Sequence, residues 1–291
     1  MIHERTFSFK LGQFIICFIL LIIAVVTIIP LMHVVASSFA TYESLIRSRF
    51  LLFPTEFTTD AYRHIFSTST FFNGLRVSLI ITIGGTLVKI AATFMFAYAL
   101  AHKGLPGRKI MNYAIMFTLI FNAGMIPNFL NVMNLGLLNS LWALILPTAI
   151  SPFNLIIIRS FIMNIPAEIE ESAKLDGANE VRILVSIIVP LSMASIATFS
   201  LFYAVVIWNS FFEAVLYISD PRKYPLQVLL RQIIFQQGMI GDSAALDAHF
   251  FVPPRTVRMA VVTAATFPIL MVYPFIQKYF TKGVMLGSVK G

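Results

Sequence analysis

Long runs without charged side chains alternate with shorter polar segments along this chain. Residues 11–36 contain no Asp, Glu, Lys or Arg, and this run is far longer than the roughly 7–15 apolar residues of a signal-peptide core. It therefore predicts an uncleaved first membrane-spanning helix. A helix needs about 20 apolar residues to cross a bilayer. Five further segments have that length: 72–100, 110–131, 139–163, 186–212 and 259–280.

These runs predict an all-α polytopic membrane protein with six transmembrane helices in a single domain, 1–291. A transmembrane barrel would show short alternating segments instead. The connections at 37–71 and 213–258 are long and polar, and six spans place both chain ends on one side. With the N-terminus inside, eleven basic residues lie on the cytoplasmic side and nine outside. Because the inside segments are also much shorter, the positive-inside rule predicts cytoplasmic N- and C-termini.

Composition agrees with a membrane protein that does no chemistry of its own. Apolar residues make up 58% of the chain and charged residues 12%, against roughly 45–50% and about 25% in soluble domains. The net charge of +8 is spread over loops, which suits anionic lipid headgroups rather than nucleic acid. Neither a phosphate-binding loop nor HExxH occurs, and the five histidines have no metal-ligand spacing. We therefore expect no catalytic residue, metal site or cofactor in this chain.

The charged residue Lys89 lies within the second predicted span. A charge at membrane depth is costly, so it is a functional-site hypothesis by default. Two structural alternatives stay open: the side chain snorkels to the cytoplasmic side, or it faces a neighbouring helix.

A charged segment, "EESAKLDGANEVRILVSIIVP", interrupts the apolar pattern between the fourth and fifth predicted spans. Pro166 suits the first position of a helix, and the glutamates that follow suit its positive end. Asp176-Gly177 ends this helix, because glycine tolerates a left-handed turn. A second helix then resumes, and Asp176 either caps it or pairs with Arg182. The face predicted to admit another protein consists of Ser172, Ala173 and Ala178; the alternative is an ordinary charged turn.

This segment resembles the EAA loop of ATP-binding-cassette (ABC) import permeases. The matching positions are Glu171-Ser172-Ala173, Gly177 after three residues, and Ile187-x-Val189-Pro190 after nine more. Ser172 and Val189 depart from the usual Ala and Leu by small changes of shape. "EESAKLDGA", "WALILP" at 142–147 and the ending "KYFTKGVMLGSVKG" resemble the carbohydrate-importer branch. The resemblance covers nearly the whole chain.

The resemblance implies a type I ABC importer permease fold, similar to the smaller permease of maltose-type importers. Such a chain forms half of the translocation pathway of an ATP-driven carbohydrate, or oligosaccharide, importer in a prokaryotic cell membrane. Its implied partners are a second permease subunit, two ATPase subunits that bind ATP and Mg, and an extracellular or periplasmic sugar-binding protein. The loop at about 164–190 couples to the ATPase. The implied coupling residues are Glu170, Glu171, Ser172, Ala173, Asp176, Gly177 and Ala178.

The substrate pathway is predicted on the fifth span, where Trp208 and Phe212 are four residues apart and would share a helix face. Asn209 adds hydrogen-bonding groups between them. The alternative for Trp208 is an interfacial anchor. Residues 220–258 read as an amphipathic outer helix followed by a loop that reaches the binding protein. The resemblance to related importers implies that the C-terminal residues 284–291 enter the cleft between the ATPases, with a frayed end as the alternative.

The rival class is an ion-coupled secondary transporter of small polar solutes. Such a protein needs ionisable groups within its spans, and no Asp or Glu lies in the interior of any predicted span. The sugar itself stays open. The C-terminal sequence resembles a subgroup that includes importers of uronate-containing oligosaccharides, so acidic and neutral oligosaccharides are both candidates.

Overall fold

The computed structural model describes residues 7–48, 50–239 and 254–287, which are largely helical. The α-helices of this part of the chain are α1 (Phe7–Ser38), α2 (Tyr42–Arg47), α3 (Asp60–Ser67), α4 (Ser69–Ala101), α5 (Arg108–Ile120), α6 (Met125–Asn134), α7 (Pro152–Met163), α8 (Ala167–Leu175), α9 (Glu180–Ile183), α10 (Val189–Leu191), α11 (Met193–Trp208), α12 (Phe212–Tyr217), α13 (Leu226–Met239) and α14 (Pro254–Gly287). Two compact units divide the chain. The first holds the described residues of 1–69 and 230–267, and the second those of 70–229 and 268–291.

The first unit is dominated by α1, which confirms the first predicted span. Its large apolar side chains point outward all round the helix, and Phe14 and Val26 are more than half exposed. A helix that is apolar on every face suits lipid or a partner helix rather than water. The outward side chains are therefore the contact surface that α1 offers to its surroundings.

The predicted connection at 37–71 folds back on the end of α1 as two short helices, α2 and α3. The N–H of Thr58 donates to the carbonyl of Phe39 at 2.8 Å, and the hydroxyls of Ser38 and Tyr62 lie 2.7 Å apart. Phe39 also stacks on the ring of Phe57 at 5.0 Å. These contacts make the connection a compact cap rather than an extended loop.

The second unit is organised around α4, which confirms the second predicted span. One core near the C-terminal end of α4 includes Leu100, Ile158 and Ile183. Another core nearer its N-terminal end includes Ile81 and Ile207. The buried side chains of α4 thus pack against two separate sets of helices, one towards each end of α4.

The third predicted span, 110–131, is wrong as a continuous helix. The chain forms α5 and α6 with a break between Ile120 and Met125. Gly124 has a φ of +89°, a conformation outside the helical region that glycine alone adopts easily. The Asn-Ala-Gly run at 122–124 therefore ends the helix where hydropathy alone predicts that it continues.

The fourth and fifth predicted spans are bent rather than straight. Two 3₁₀ turns, Leu141–Leu144 and Leu146–Thr148, precede α7 at an angle of 54°, and the helical stretch Glu180–Leu191 meets α11 at 82°. Within the described residues, two helices are long and apolar enough to cross a membrane, Lys10–Ser38 and Ser69–Ala101, or four spans if each bent pair counts as one. The number of six spans stays a prediction.

The last two helices fall on the predicted outer loop and sixth span. Helix α13 confirms a helix in the first half of 220–258, whereas 240–253 lie outside the described residues. Helix α14 covers the predicted span 259–280 and continues to Gly287. Residues 284–287 are thus helical, 288–291 lie outside the described residues, and entry of the C-terminus into the ATPase cleft stays a prediction.

Candidate functional site

The turn after α8 has the geometry that the sequence predicted for Gly177. Gly177 has a φ of +80°. Its N–H donates to the carbonyl of Lys174, and the N–H of Ala178 donates to that of Ala173, both at 3.0 Å. This pair of bonds is the Schellman motif, which satisfies the last carbonyls of a helix. Helix α8 therefore ends in a sharp, fully hydrogen-bonded reversal.

Both predicted roles for Asp176 in the second helix are wrong. The side chain of Asn179 caps that helix, because its Oδ1 accepts the N–H of Arg182 at 2.8 Å. In the described part of the chain no ion pair joins Asp176 to Arg182. Asn179 is one of the preferred capping residues and immediately precedes the acidic Glu180, so the sequence did contain the signal.

An ion pair bridges the turn instead. Lys174 Nζ lies 2.8 Å from Glu180 Oε1, and this hydrogen bond to the carboxylate raises the pKa of Lys174. The other oxygen of Glu180 accepts the hydroxyl of Tyr98 at 3.0 Å. Glu170 lies 3.1 Å from Nε2 of His102. The end of α4 therefore contacts the helices on both sides of the turn. We call the five residues that make these contacts the coupling bracket: Tyr98, His102, Glu170, Lys174 and Glu180.

Two arginines fix the position of the α4 end. Nε of Arg108 donates to the carbonyl of Leu100 at 2.8 Å, and Nε of Arg159 donates to the same carbonyl at 3.1 Å. The last carbonyls of a helix have no partner within it and carry partial negative charge. The guanidinium groups from α5 and α7 supply that partner, so five helices (α4, α5, α7, α8 and α9) meet at the end of α4.

The free face of α8 differs from the predicted small-residue face. Ala173 is buried in the core near Leu100 and Ala178 packs against that core, because helix α8 uses its small residues to approach the chain's own spans. Glu171, Ser172 and Asp176 are exposed.

Leu175 is 89% exposed and is the outstanding apolar group of that face. Sequence reasoning gave Leu175 no role. Its angular offset from Ile169 and Ala173 on a helical wheel was the signal that could have found it.

The predicted pathway residues do not form one helix face. Helix α11 ends at Trp208, Asn209 is its C-cap, and α12 begins at Phe212. Trp208 is 5% exposed and its Nε1 has no hydrogen-bond partner among the described residues, which disagrees with an interfacial anchor in lipid. Asn209 donates to the carbonyl of Val205 at 2.8 Å. Phe212 is exposed, so the break separates it from Trp208.

Lys89 does not snorkel; it faces a neighbouring helical segment. The residue is 2% exposed, and its Nζ donates to the hydroxyl of Thr148 at 2.6 Å. Its Nζ also lies 6.0 Å from the ring centre of Tyr203 on α11. The lysine therefore connects α4 with the bend of the fourth predicted span.

Comparison with known proteins assigns the family. Residues 89–286 match the family described as the binding-protein-dependent transport system inner membrane component. The chain belongs to this family. It is thus a permease subunit of an ABC transporter, an inner-membrane protein that is not an enzyme. ATP is bound by a partner ATPase rather than by this chain, and the ion-coupled alternative is set aside.

Individual relatives match along most of the chain. The polygalacturonan/rhamnogalacturonan transport system permease protein YtcP of Bacillus subtilis is 50% identical over 94% of this chain and 96% of its own length. Protein LplC of the same organism is 47% identical over 92% and 91%. A chain of a bacterial ABC transporter that imports the acidic polysaccharide alginate superposes with a TM-score of 0.85. It has 29% identity, with 94% of this chain and 98% of that chain covered.

Proposed function

We propose that this permease imports acidic oligosaccharides containing uronate sugars, of the kind released from pectin. The observation that carries the proposal is the 50% identity, over nearly the full chain, with a permease named for polygalacturonan and rhamnogalacturonan transport. The similarity to a chain of an alginate importer supports the same substrate class, because alginate is also an acidic polysaccharide. Oligosaccharide import in general is supported by the sequence features of the carbohydrate branch.

The working assembly contains a second permease subunit, two ATPase subunits and an extracellular or periplasmic sugar-binding protein. Both termini lie in the cytoplasm. Trp208, Asn209 and Phe212 contribute to the pathway where α11 ends and the chain turns into α12. A buried indole N–H without a partner supports this placement, since buried polar groups are normally hydrogen-bonded.

The loop between α7 and α11 transmits ATPase movement to the spans. The exposed Glu171, Ser172 and Asp176 contact the ATPase, and Leu175 supplies an apolar anchor. Glu170 has a different role, because it faces His102 within the chain. Movement of α8 reaches α4 through the coupling bracket as a rigid-body displacement, the usual form of such transitions.

Uptake by the reconstituted importer tests the proposal. Vesicles containing this chain, its partner permease and the ATPases are given the binding protein with trigalacturonate or with a neutral trisaccharide. We expect ATP-dependent accumulation of trigalacturonate and little of the neutral sugar. Accumulation of the neutral sugar alone would contradict the substrate class, and failure of the ATPases to co-purify would contradict the assembly.

A further inference from the structure

The second unit buries an ammonium group, that of Lys89, which no carboxylate of the described residues contacts. Lys89 is almost fully buried, yet its hydrogen-bond acceptor is the neutral hydroxyl of Thr148. Within the described residues no Asp or Glu forms an ion pair with it. Removing a charge from water costs several kcal/mol unless an opposite charge compensates. A lysine in this position therefore favours a counter-ion that the described part of the chain does not provide.

The surroundings of Lys89 add donors and positive potential. Thr148 ends a 3₁₀ turn, and α7 begins four residues later at Pro152. The N-terminus of a helix carries partial positive charge, so Lys89 and α7 present two positive sources at the same bend. The hydroxyl of Thr86, one turn before Lys89 on α4, is buried and finds no hydrogen-bond partner within the part of the chain that the structure describes. These groups together favour the binding of an anion at this bend.

Tyr203 fixes the shape of this bend. Its hydroxyl accepts the N–H of Ser151 at 3.0 Å and lies 2.7 Å from the hydroxyl of Thr93. The tyrosine thus holds the start of α7 against α4 and α11. Lys89, the partner of Thr148, has its Nζ 6.0 Å from the centre of the Tyr203 ring.

A carboxylate at the start of α12 acts on Lys89 without contacting it. Glu213, at the start of α12, acts on Lys89 electrostatically, but its side chain is exposed to its surroundings and makes no ion pair with the lysine in the described structure. Helix α12 follows the break after Trp208, where we place the pathway. Lys89 therefore lies within electrostatic reach of Glu213, which is next to Phe212 of the proposed pathway.

We propose that Lys89 binds a carboxylate of the transported sugar during its passage. This inference rests on the proposed import of uronate-containing oligosaccharides. When the bent span moves, the ammonium exchanges the hydroxyl of Thr148 for the uronate carboxylate. A hydrogen bond between two ions is roughly twice as strong as one between neutral groups, so an acidic sugar gains an interaction that a neutral sugar lacks. Lys89 is thus a specificity-determining residue.

The test uses the complete reconstituted importer and two forms of one sugar. Trigalacturonate and its methyl ester are each loaded on the binding protein to saturation. Differences in transport rate then arise after the binding protein has delivered the sugar to the permease. Lys89→Met keeps most of the side-chain volume and removes the charge, and Lys89→Arg keeps the charge. The matched control is Lys109→Met, which removes an exposed lysine at the start of α5. Assembly is monitored by the amount of co-purified ATPase.

Loss of a charge-assisted contact predicts about a tenfold or greater fall in trigalacturonate transport by Lys89→Met. Transport of the methyl ester should stay within about twofold of the wild-type rate, the same margin expected for Lys109→Met with both sugars. Lys89→Arg should retain the preference for the acid. If Lys89→Met does not assemble, Lys89→Gln is judged by the same ratio.

Two results overturn the inference. An equal fall for acid and ester would make Lys89 a structural clamp between α4 and the bend, and unchanged transport of both would deny it any role. The proposed function fails separately: a wild-type importer that transports the ester but not the acid has a different substrate class, whatever the variants do.

Discussion

The turn at Gly177 permits a graded test of coupling. Gly177 has a φ of +80°, and a Cβ added there meets no atom within 4 Å. A side chain would therefore cause backbone strain without a clash. For an L-residue the left-handed conformation costs roughly 1–2 kcal/mol. A β-branched residue tolerates it least and Asn tolerates it best. The series Gly177→Asn, Gly177→Ala and Gly177→Val thus varies strain at one position.

The strain acts on the two bonds that close the turn. A cost of 1–2 kcal/mol shifts the balance between closed and opened turns by a factor of about 5–30. An opened turn releases α8 from α9 and strains the ion pair between Lys174 and Glu180. The spans should still insert, because their burial does not involve Gly177. We expect Gly177→Val to hydrolyse ATP with fewer sugars transported per ATP, Gly177→Ala to lie between, and Gly177→Asn to resemble the wild type.

The measurement is the ratio of sugar transported to ATP hydrolysed in vesicles containing the complete importer. Co-purified ATPase reports assembly for each variant. Equal ratios for Val and wild type would refute the role of the turn in coupling. A loss in the Asn variant as large as in the Val variant would show that the lost property is the absence of a side chain, not the conformation.

Three further predictions concern the proposed coupling to the ATPase. Tyr98→Phe removes the hydrogen bond to Glu180, which is worth about 1.5–3 kcal/mol because the acceptor is charged. The ratio of sugar transported to ATP hydrolysed should fall while the chain still inserts. An unchanged ratio would contradict the role of the coupling bracket in transmission. Leu175→Asp should reduce ATPase co-purification, whereas Glu168→Ala, also on α8, should not; equal retention would exclude the apolar anchor. Deleting residues 284–291 should weaken stimulated ATP hydrolysis, and full-rate transport by the truncated chain would exclude a role for the C-terminus.

Raising the pH moderately above neutrality should leave the turn at Gly177 and its ion pair intact. The pKa of Lys174 is raised by its hydrogen bond to Glu180. A group whose folded pKa is raised stabilises the fold fully below its unfolded pKa, about 10.4 for lysine, and loses that stabilisation as pH rises through the folded value. Coupling should therefore show no inflection from Lys174 between about pH 7 and pH 9.

The sequence alone determined the helical class, the position of the first two spans and the turn at Gly177. Each of these depends on neighbouring residues. Continuous apolar runs make α1 and α4 helical in a membrane because the backbone must satisfy its own hydrogen bonds there. Asp176-Gly177 ends α8 because glycine accepts a positive φ. The spacing from Glu171 to Pro190 identified the family, which the comparisons confirmed.

Only the tertiary structure decided which of these residues face outward and where the spans break. Hydropathy counts apolar residues but does not register that Gly124 interrupts a helix or that α11 ends at Trp208. Ala173 lies in the core while Leu175 lies on the surface, although both are apolar and two positions apart. Lys89 meets Thr148 across 59 residues of sequence. Contacts of this kind depend on how separate helices pack, and no local pattern along the chain encodes that packing.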